Sequence, residues 1–77
     1  MKNPRFIVLT GNEHDNENLP IRISVDHLMY YYEYKYTQND DTKITCSAIV
    51  MAGRQWIYVK EKPEEIDALL EKAYENN

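Results

Sequence analysis

Four side chains that could bind a metal ion or transfer protons lie close together near the start of the chain. They are Glu13, His14, Asp15 and Glu17. The run lacks the Asp-x-Asp/Asn-x-Asp/Asn-Gly framework of a calcium loop, and no glutamate follows at the twelfth position. His27 is the only other histidine, so a closed zinc site would need carboxylate ligands as well. We interpret the cluster as a solvated loop and predict no metal and no other cofactor.

Cys46 is the only cysteine and therefore the only candidate for a nucleophilic thiol. It shares strand parity with Ile44 and Ala48, a setting typical of a small buried hydrophobic side chain. His27 could act as its base, but no lysine-rich segment or helix N-terminus accompanies Cys46 to stabilise a thiolate. We predict that the protein is not an enzyme, and keep as an alternative a site around His27 that two subunits share. A lone thiol suits the reducing cytosol, which predicts a cytoplasmic location.

Aromatic side chains are the strongest candidates for a functional surface. The chain of 77 residues has seven tyrosines, and five of them lie between Tyr30 and Tyr36. Alternate side chains of a strand lie on the same face, so the even-numbered tyrosines share one face and Tyr31 lies on the other. A later strand adds two more aromatic residues. The predicted interaction surface consists of Tyr30, Tyr32, Tyr34, Tyr36, Trp56 and Tyr58.

Two kinds of partner could use these rings. Tyrosine favours strands and can bury its ring while its hydroxyl stays in water, which suits packing within the domain or across an interface. Stacked bases are the alternative. The 13 acidic and nine basic residues give a net charge of −4, which disfavours a phosphate backbone. We therefore predict an interaction module that acts through homo-oligomerisation or protein docking; the alternative is a nucleic-acid-binding or regulatory protein that stacks bases on the Tyr30–Tyr36 stripe.

The spacing of apolar residues indicates the elements that must position these rings. Ile21, Ile23 and Val25 alternate with polar residues, as in a strand with one buried face. Across Pro63 the apolar period changes from two to about 3.6, which predicts a helix to about Glu75. Further strands are predicted over residues 5–10, 30–36, 43–51 and 55–60, with a bend over 26–29. The early apolar run, residues 6–9, is too short to span a membrane.

These elements predict one small α+β domain over residues 1–77. A single antiparallel sheet of about five strands would carry the C-terminal helix on one face. The apolar stripe of the helix consists of Ile66, Leu69, Leu70 and Ala73. The predicted helix-covered side of the sheet consists of Ile21, Ile23, Val25, Ile57 and Val59. The aromatic surface would then lie on the opposite side.

Several short structural signatures run in order through most of the chain. They are FIVLT and a turn, a strand of alternating isoleucines, a bend with Leu28, Thr42-x-Ile44, a glycine turn, and Val59-Lys60-Glu61 running into Glu64-Glu65-Ile66. This order resembles the FlbD-like small proteins, a family first described with flagella. The resemblance implies a sheet-plus-helix fold and a flagellar or regulatory role, and it supplies no catalytic residue.

Overall fold

The computed structural model describes residues 5–75, which form five strands and one α-helix. The elements are β1 (Phe6–Thr10), β2 (Pro20–Ser24), β3 (Leu28–Thr37), β4 (Lys43–Met51), β5 (Gln55–Val59) and α1 (Pro63–Glu75). A 3-10 turn, Val25–His27, joins β2 to β3. The α+β class, the number of strands and the helix start at Pro63 are confirmed. No helix within residues 5–75 is long and apolar enough to cross a membrane.

The strands form two antiparallel sheets, so the prediction of a single five-stranded sheet is wrong. β1 pairs with β2, and the second sheet has the order β3-β4-β5. The sheets meet at Gly11, which forms one antiparallel bridge with Val59. A Cβ atom at Gly11 would collide with the backbone carbonyl of Asn16, so the loop after β1 can fold back only over a glycine. Alternation within a strand shows which face is buried, but it does not specify the neighbouring strand.

The core lies between the two sheets and α1. Its buried side chains are Ile7, Leu9, Ile23, Val25, Ile49, Val59 and Ile66. Ile21 and Ile57 pack against this cluster and are partly buried, so all five side chains predicted for the helix-covered side belong to the core. The main contacts of α1 are with β1 and β3, whereas the prediction placed the helix over β2 and β5. From α1, Ile66 is fully buried, whereas the rest of the predicted apolar stripe is only partly buried.

The β3–β4 hairpin extends beyond the rest of its sheet. β5 pairs only with residues 47–51 of β4, although β4 begins at Lys43. At the tip, the Gln38 N–H donates to the Thr42 carbonyl at 2.9 Å, and the Thr42 N–H donates to Asp40 Oδ1 at 3.1 Å. Asp41 takes a left-handed conformation, with φ 64°, which aspartate tolerates in turns. This extension agrees with the elongated outline of the molecule, 50 × 23 × 20 Å.

Candidate interaction face

The strand register brings the six predicted aromatic side chains onto one face of the three-stranded sheet. On β4, Ala48 lies opposite Tyr32 of β3 and also opposite Tyr58 of β5. Val50 likewise lies between one aromatic residue of each neighbouring strand. Residues directly opposite each other in an antiparallel ladder share a face. We call this surface the aromatic face: Tyr30, Tyr32, Tyr34, Tyr36, Trp56 and Tyr58.

Along β3, the tyrosine rings of the aromatic face lie side by side in two pairs. The ring centroids of Tyr30 and Tyr32 are 6.2 Å apart with an interplanar angle of 25°. Those of Tyr34 and Tyr36 are 6.1 Å apart with an angle of 31°. Both separations lie within the range of attractive aromatic pairs. The row is therefore an ordered strip of rings along one strand.

Two further contacts connect this row to β5. The centroids of Tyr34 and Tyr58 are 5.0 Å apart and tilted by 49°. The Trp56 indole N–H donates to the Tyr32 hydroxyl at 3.3 Å. The rings of the outer strands thus meet above β4.

Small side chains on β4 make this arrangement possible. Cys46, Ala48 and Val50 are at most 2% exposed. They lie on the same face as the rings, and the larger aromatic side chains on both sides cover them. The aromatic residues therefore bury their inner edges within the domain while their outer edges remain in solvent. The other face of β3 is turned toward the helix, where the Tyr31 hydroxyl donates to Asp67.

A cavity of about 310 Å³ lies at one end of the aromatic face. Its walls are Tyr34, Tyr36, Tyr58, Cys46 and Asn12. The Asn12 amide donates to the Tyr36 hydroxyl at 3.3 Å, and the Asn12 N–H donates to the Tyr58 carbonyl at 3.0 Å. Sequence reasoning missed Asn12, because this contact joins residues 24 positions apart. The one feature of the local sequence that could have pointed to Asn12 was the Gly11–Asn12 turn at the end of β1.

Cys46 is buried, as predicted, and its chemistry follows from that burial. Burial raises the pKa of the Cys46 thiol, although a hydrogen bond with Asn12 opposes this shift. A raised pKa keeps the sulfur as a neutral thiol near pH 7. His27 does not line the cavity beside Cys46, and its Nδ1 lies 2.9 Å from the Ser24 hydroxyl. The two residues are therefore not arranged as a nucleophile and its base.

The predicted solvated loop is built by a local turn around Asn16. The Glu13 N–H donates to Asn16 Oδ1 at 3.0 Å, and the Asn16 N–H donates to the Glu13 carbonyl at 3.1 Å. His14, Asp15 and Glu17 are exposed. Within residues 5–75, no group of three or more histidine, cysteine or acidic side chains could together hold a metal ion.

No family model matches this chain, and neither a curated protein nor a solved structure shows significant similarity to it. The resemblance to the FlbD-like proteins stays a prediction, and the case for function depends on the geometry of the aromatic face.

Proposed function

We propose that this chain is a non-enzymatic interaction module that acts through the aromatic face, by homo-oligomerisation or by docking another protein. The observation that carries the proposal is the exposure of large rings after folding. Tyr30 is 49% exposed, Tyr32 42%, Tyr34 39% and Trp56 45%. Contiguous apolar surface of this kind marks interaction sites, and tyrosine and tryptophan supply much of the binding energy in protein interfaces.

The charges around the face favour a protein partner over nucleic acid. None of the strand residues that share this face is a lysine or an arginine: Tyr30, Tyr32, Tyr34, Tyr36, Ile44, Cys46, Ala48, Val50, Trp56 and Tyr58. Lys35 belongs to the opposite face of β3 by its parity. Burial, neighbouring tyrosines and the carboxylate of Glu13 raise the pKa of Tyr58. A phosphate backbone on these strands would thus meet rings and an acidic neighbour. Lys60, which follows β5, is a cation at the end of the face, where it lines a cavity with Tyr36 and Cys46.

The proposed location is the cytosol. Cys46 is the only cysteine of the chain, and it is buried as a thiol beneath the rings. A domain of this size in an oxidising compartment commonly gains stability from disulfides, which a single cysteine cannot form within one chain.

The proposal is tested by removing one ring from the face and one ring from elsewhere. Tyr32→Ser removes an aromatic group at the centre of the face, and Tyr74→Ser removes a tyrosine that is 58% exposed on α1. Self-association is measured by sedimentation velocity. Docking is measured with peptides selected on the wild-type protein from a random displayed library. We expect Tyr32→Ser to weaken self-association or peptide binding at least about tenfold, because interface aromatics often contribute more than 1.4 kcal/mol.

The matched variant Tyr74→Ser should leave both measurements unchanged. Equal losses in the two variants, or wild-type protein that neither self-associates nor selects a face-dependent peptide, would contradict the proposal. Titration with single-stranded oligonucleotides at low salt tests the alternative, with Trp56 fluorescence as the signal. Quenching that Tyr32→Ser abolishes would favour base stacking over protein docking.

A further inference from the structure

β3 is an edge strand, and within residues 5–75 it pairs only with β4. The Gln38 N–H donates to the Thr42 carbonyl, and these residues continue the register that places Thr37 opposite Lys43. Hydrogen-bonded and non-bonded pairs alternate along an antiparallel ladder. The even-numbered residues of β3 therefore bond to β4. The residues whose backbone N–H and C=O groups point to the open edge are Tyr31, Glu33, Lys35 and Thr37.

The side chains along this open edge have a self-complementary charge pattern. Glu33 and Lys35 flank Tyr34, and their Oε1 and Nζ atoms are 3.6 Å apart. The Lys35 side chain is 64% exposed and the Glu33 side chain 49%. An antiparallel pairing of two β3 edges about Tyr34 places Glu33 of each copy opposite Lys35 of the other. If the two-fold axis moved by one residue, Glu33 would lie opposite Glu33 of the second copy, or Lys35 opposite Lys35. Like charges directly opposite each other are unfavourable.

Backbone geometry allows the same register. In a pairing centred on Tyr34, Glu33 and the second copy's Lys35 form a hydrogen-bonded pair, as their outward-pointing backbone groups require. Tyr34 lies opposite Tyr34 of the second copy at a non-hydrogen-bonded position, where opposing side chains are closest. Tyr32 lies opposite the second copy's Tyr36, so aromatic cross-strand pairs extend the row. Backbone parity therefore allows this arrangement, and the charges of Glu33 and Lys35 favour it over the registers centred on either neighbouring residue.

We propose that two copies of this chain associate through the open edges of β3, antiparallel and centred on Tyr34, and join their three-stranded sheets into one. This inference rests on the proposed function because it names a second copy as the partner, but it uses the strand edge instead of the aromatic face. The two aromatic faces become one continuous surface that remains open to a further partner. A charged lysine on an edge normally opposes such pairing, and here Glu33 of the second copy neutralises it.

Charge reversal tests the pairing directly. Glu33→Lys makes the centre of the edge wholly basic, and Lys35→Glu makes it wholly acidic. Sedimentation velocity at low ionic strength should show a wild-type dimer and a dissociation constant at least about tenfold weaker for each variant, because two charge pairs become repulsive in each dimer. An equimolar mixture of the two variants should recover the dimer, since the basic edge then faces the acidic one. Thermal unfolding checks that both variants fold.

The mixture separates an intermolecular effect from a change within one chain. Either variant also breaks the Glu33–Lys35 contact of its own chain. Only pairing between copies can restore association on mixing. A mixture that stays monomeric, or single variants that dimerise as tightly as wild type, would overturn the inference.

A register-specific cross-link provides a second test. Residues at non-bonded antiparallel positions lie close enough for a disulfide. Tyr34→Cys combined with Cys46→Ala should oxidise to a covalent dimer. Tyr32→Cys combined with Cys46→Ala should not, because its two copies would lie roughly 13 Å apart along the strand. Equal cross-linking of both would refute the register.

Failure here differs from failure of the proposed function. A wild-type dimer that Tyr32→Ser disrupts and charge reversal does not would place the interface on the face, which overturns the edge pairing and supports the proposed function. A wild-type monomer at about 1 mM overturns the edge pairing, because even a weak dimer forms there. The proposed function would then be tested by peptide binding alone, which Tyr32→Ser should weaken.

Discussion

Truncation of Ile66 is expected to remove a large part of the stability of this domain. Ile66 is the one side chain of α1 that is fully buried, and it belongs to the core cluster between the sheets. Replacing a buried isoleucine with alanine costs about 2–5 kcal/mol. Stabilities of about 0.05–0.15 kcal/mol per residue give a chain of 77 residues about 4–12 kcal/mol in total. Ile66→Ala should therefore lower the free energy of unfolding by at least about a sixth, and by nearly half at the middle of both ranges.

Tyr32→Ser provides the contrast that shows whether the aromatic face is core. Tyr32 is 42% exposed, and its contacts include the Tyr30 ring and the Trp56 indole. We expect a cost of about 1 kcal/mol, since part of the ring is already in water. Leu69→Ala should be intermediate, at about 1–2 kcal/mol, because Leu69 is only partly buried.

Urea unfolding of all three variants measures these costs. Far-UV circular dichroism is the signal, and the protein concentration is held constant because association adds to apparent stability. The denaturant dependence should match that of the wild type, so that the midpoints report stability alone. If Tyr32→Ser unfolds the protein as thoroughly as Ile66→Ala, the rings form the core and the reasoning about an open face is refuted.

Two further substitutions test polar groups on the core side of β4 and β3. The Ser47 hydroxyl is fully buried and has no hydrogen-bond partner among the described residues, so Ser47→Ala should stabilise the fold by about 1 kcal/mol and raise the Tm by about 4–8 °C. Calorimetry measures this change, and a lower Tm would contradict it. Burial and the hydrogen bond to Asp67 raise the pKa of Tyr31 to about 12, above its ordinary value of about 10. The resulting stabilisation is complete below pH 10 and is lost as pH rises through 12, so the stability difference between wild type and Tyr31→Phe should shrink over that range in urea unfolding. A difference independent of pH would count against the Tyr31–Asp67 bond.

Local periodicity predicted the elements because each strand or helix is determined by short-range sequence. The change of period at Pro63 located the start of α1, and the parity of residues 30–36 assigned the even-numbered tyrosines to one face. The division into two sheets was not predictable from these patterns. β1 pairs along its length with β2, and it meets β5 only in a long-range contact around Gly11 that includes the bridge to Val59 and the hydrogen bond from the Asn12 N–H to the Tyr58 carbonyl. That contact was not predicted because the segments it joins are far apart in the sequence.

The cavity beside Cys46 shows the same limit at the candidate site. Its tyrosines come from the predicted stripe, whereas Asn12 reaches it from a loop near the start of the chain. The loop fits only because Gly11 allows Asn16 to approach the backbone. Gly11 and Asn12 are visible in the sequence, but the sequence pattern does not show that the loop folds back and brings Asn12 to the cavity. The aromatic row could be predicted, and the wall that closes one end of it could not.

The division of roles within β3 explains how so small a domain can keep a large aromatic surface in solvent. The core side of β3 is anchored near its start, where Tyr31 packs against the core cluster and bonds to Asp67 of α1. The opposite side places its rings over the small side chains of β4, which gives those rings contacts inside the domain. Each exposed ring is therefore held in place by contacts within its own domain. Side chains that are already ordered lose less conformational entropy on binding, so this arrangement would favour the proposed association through this strand.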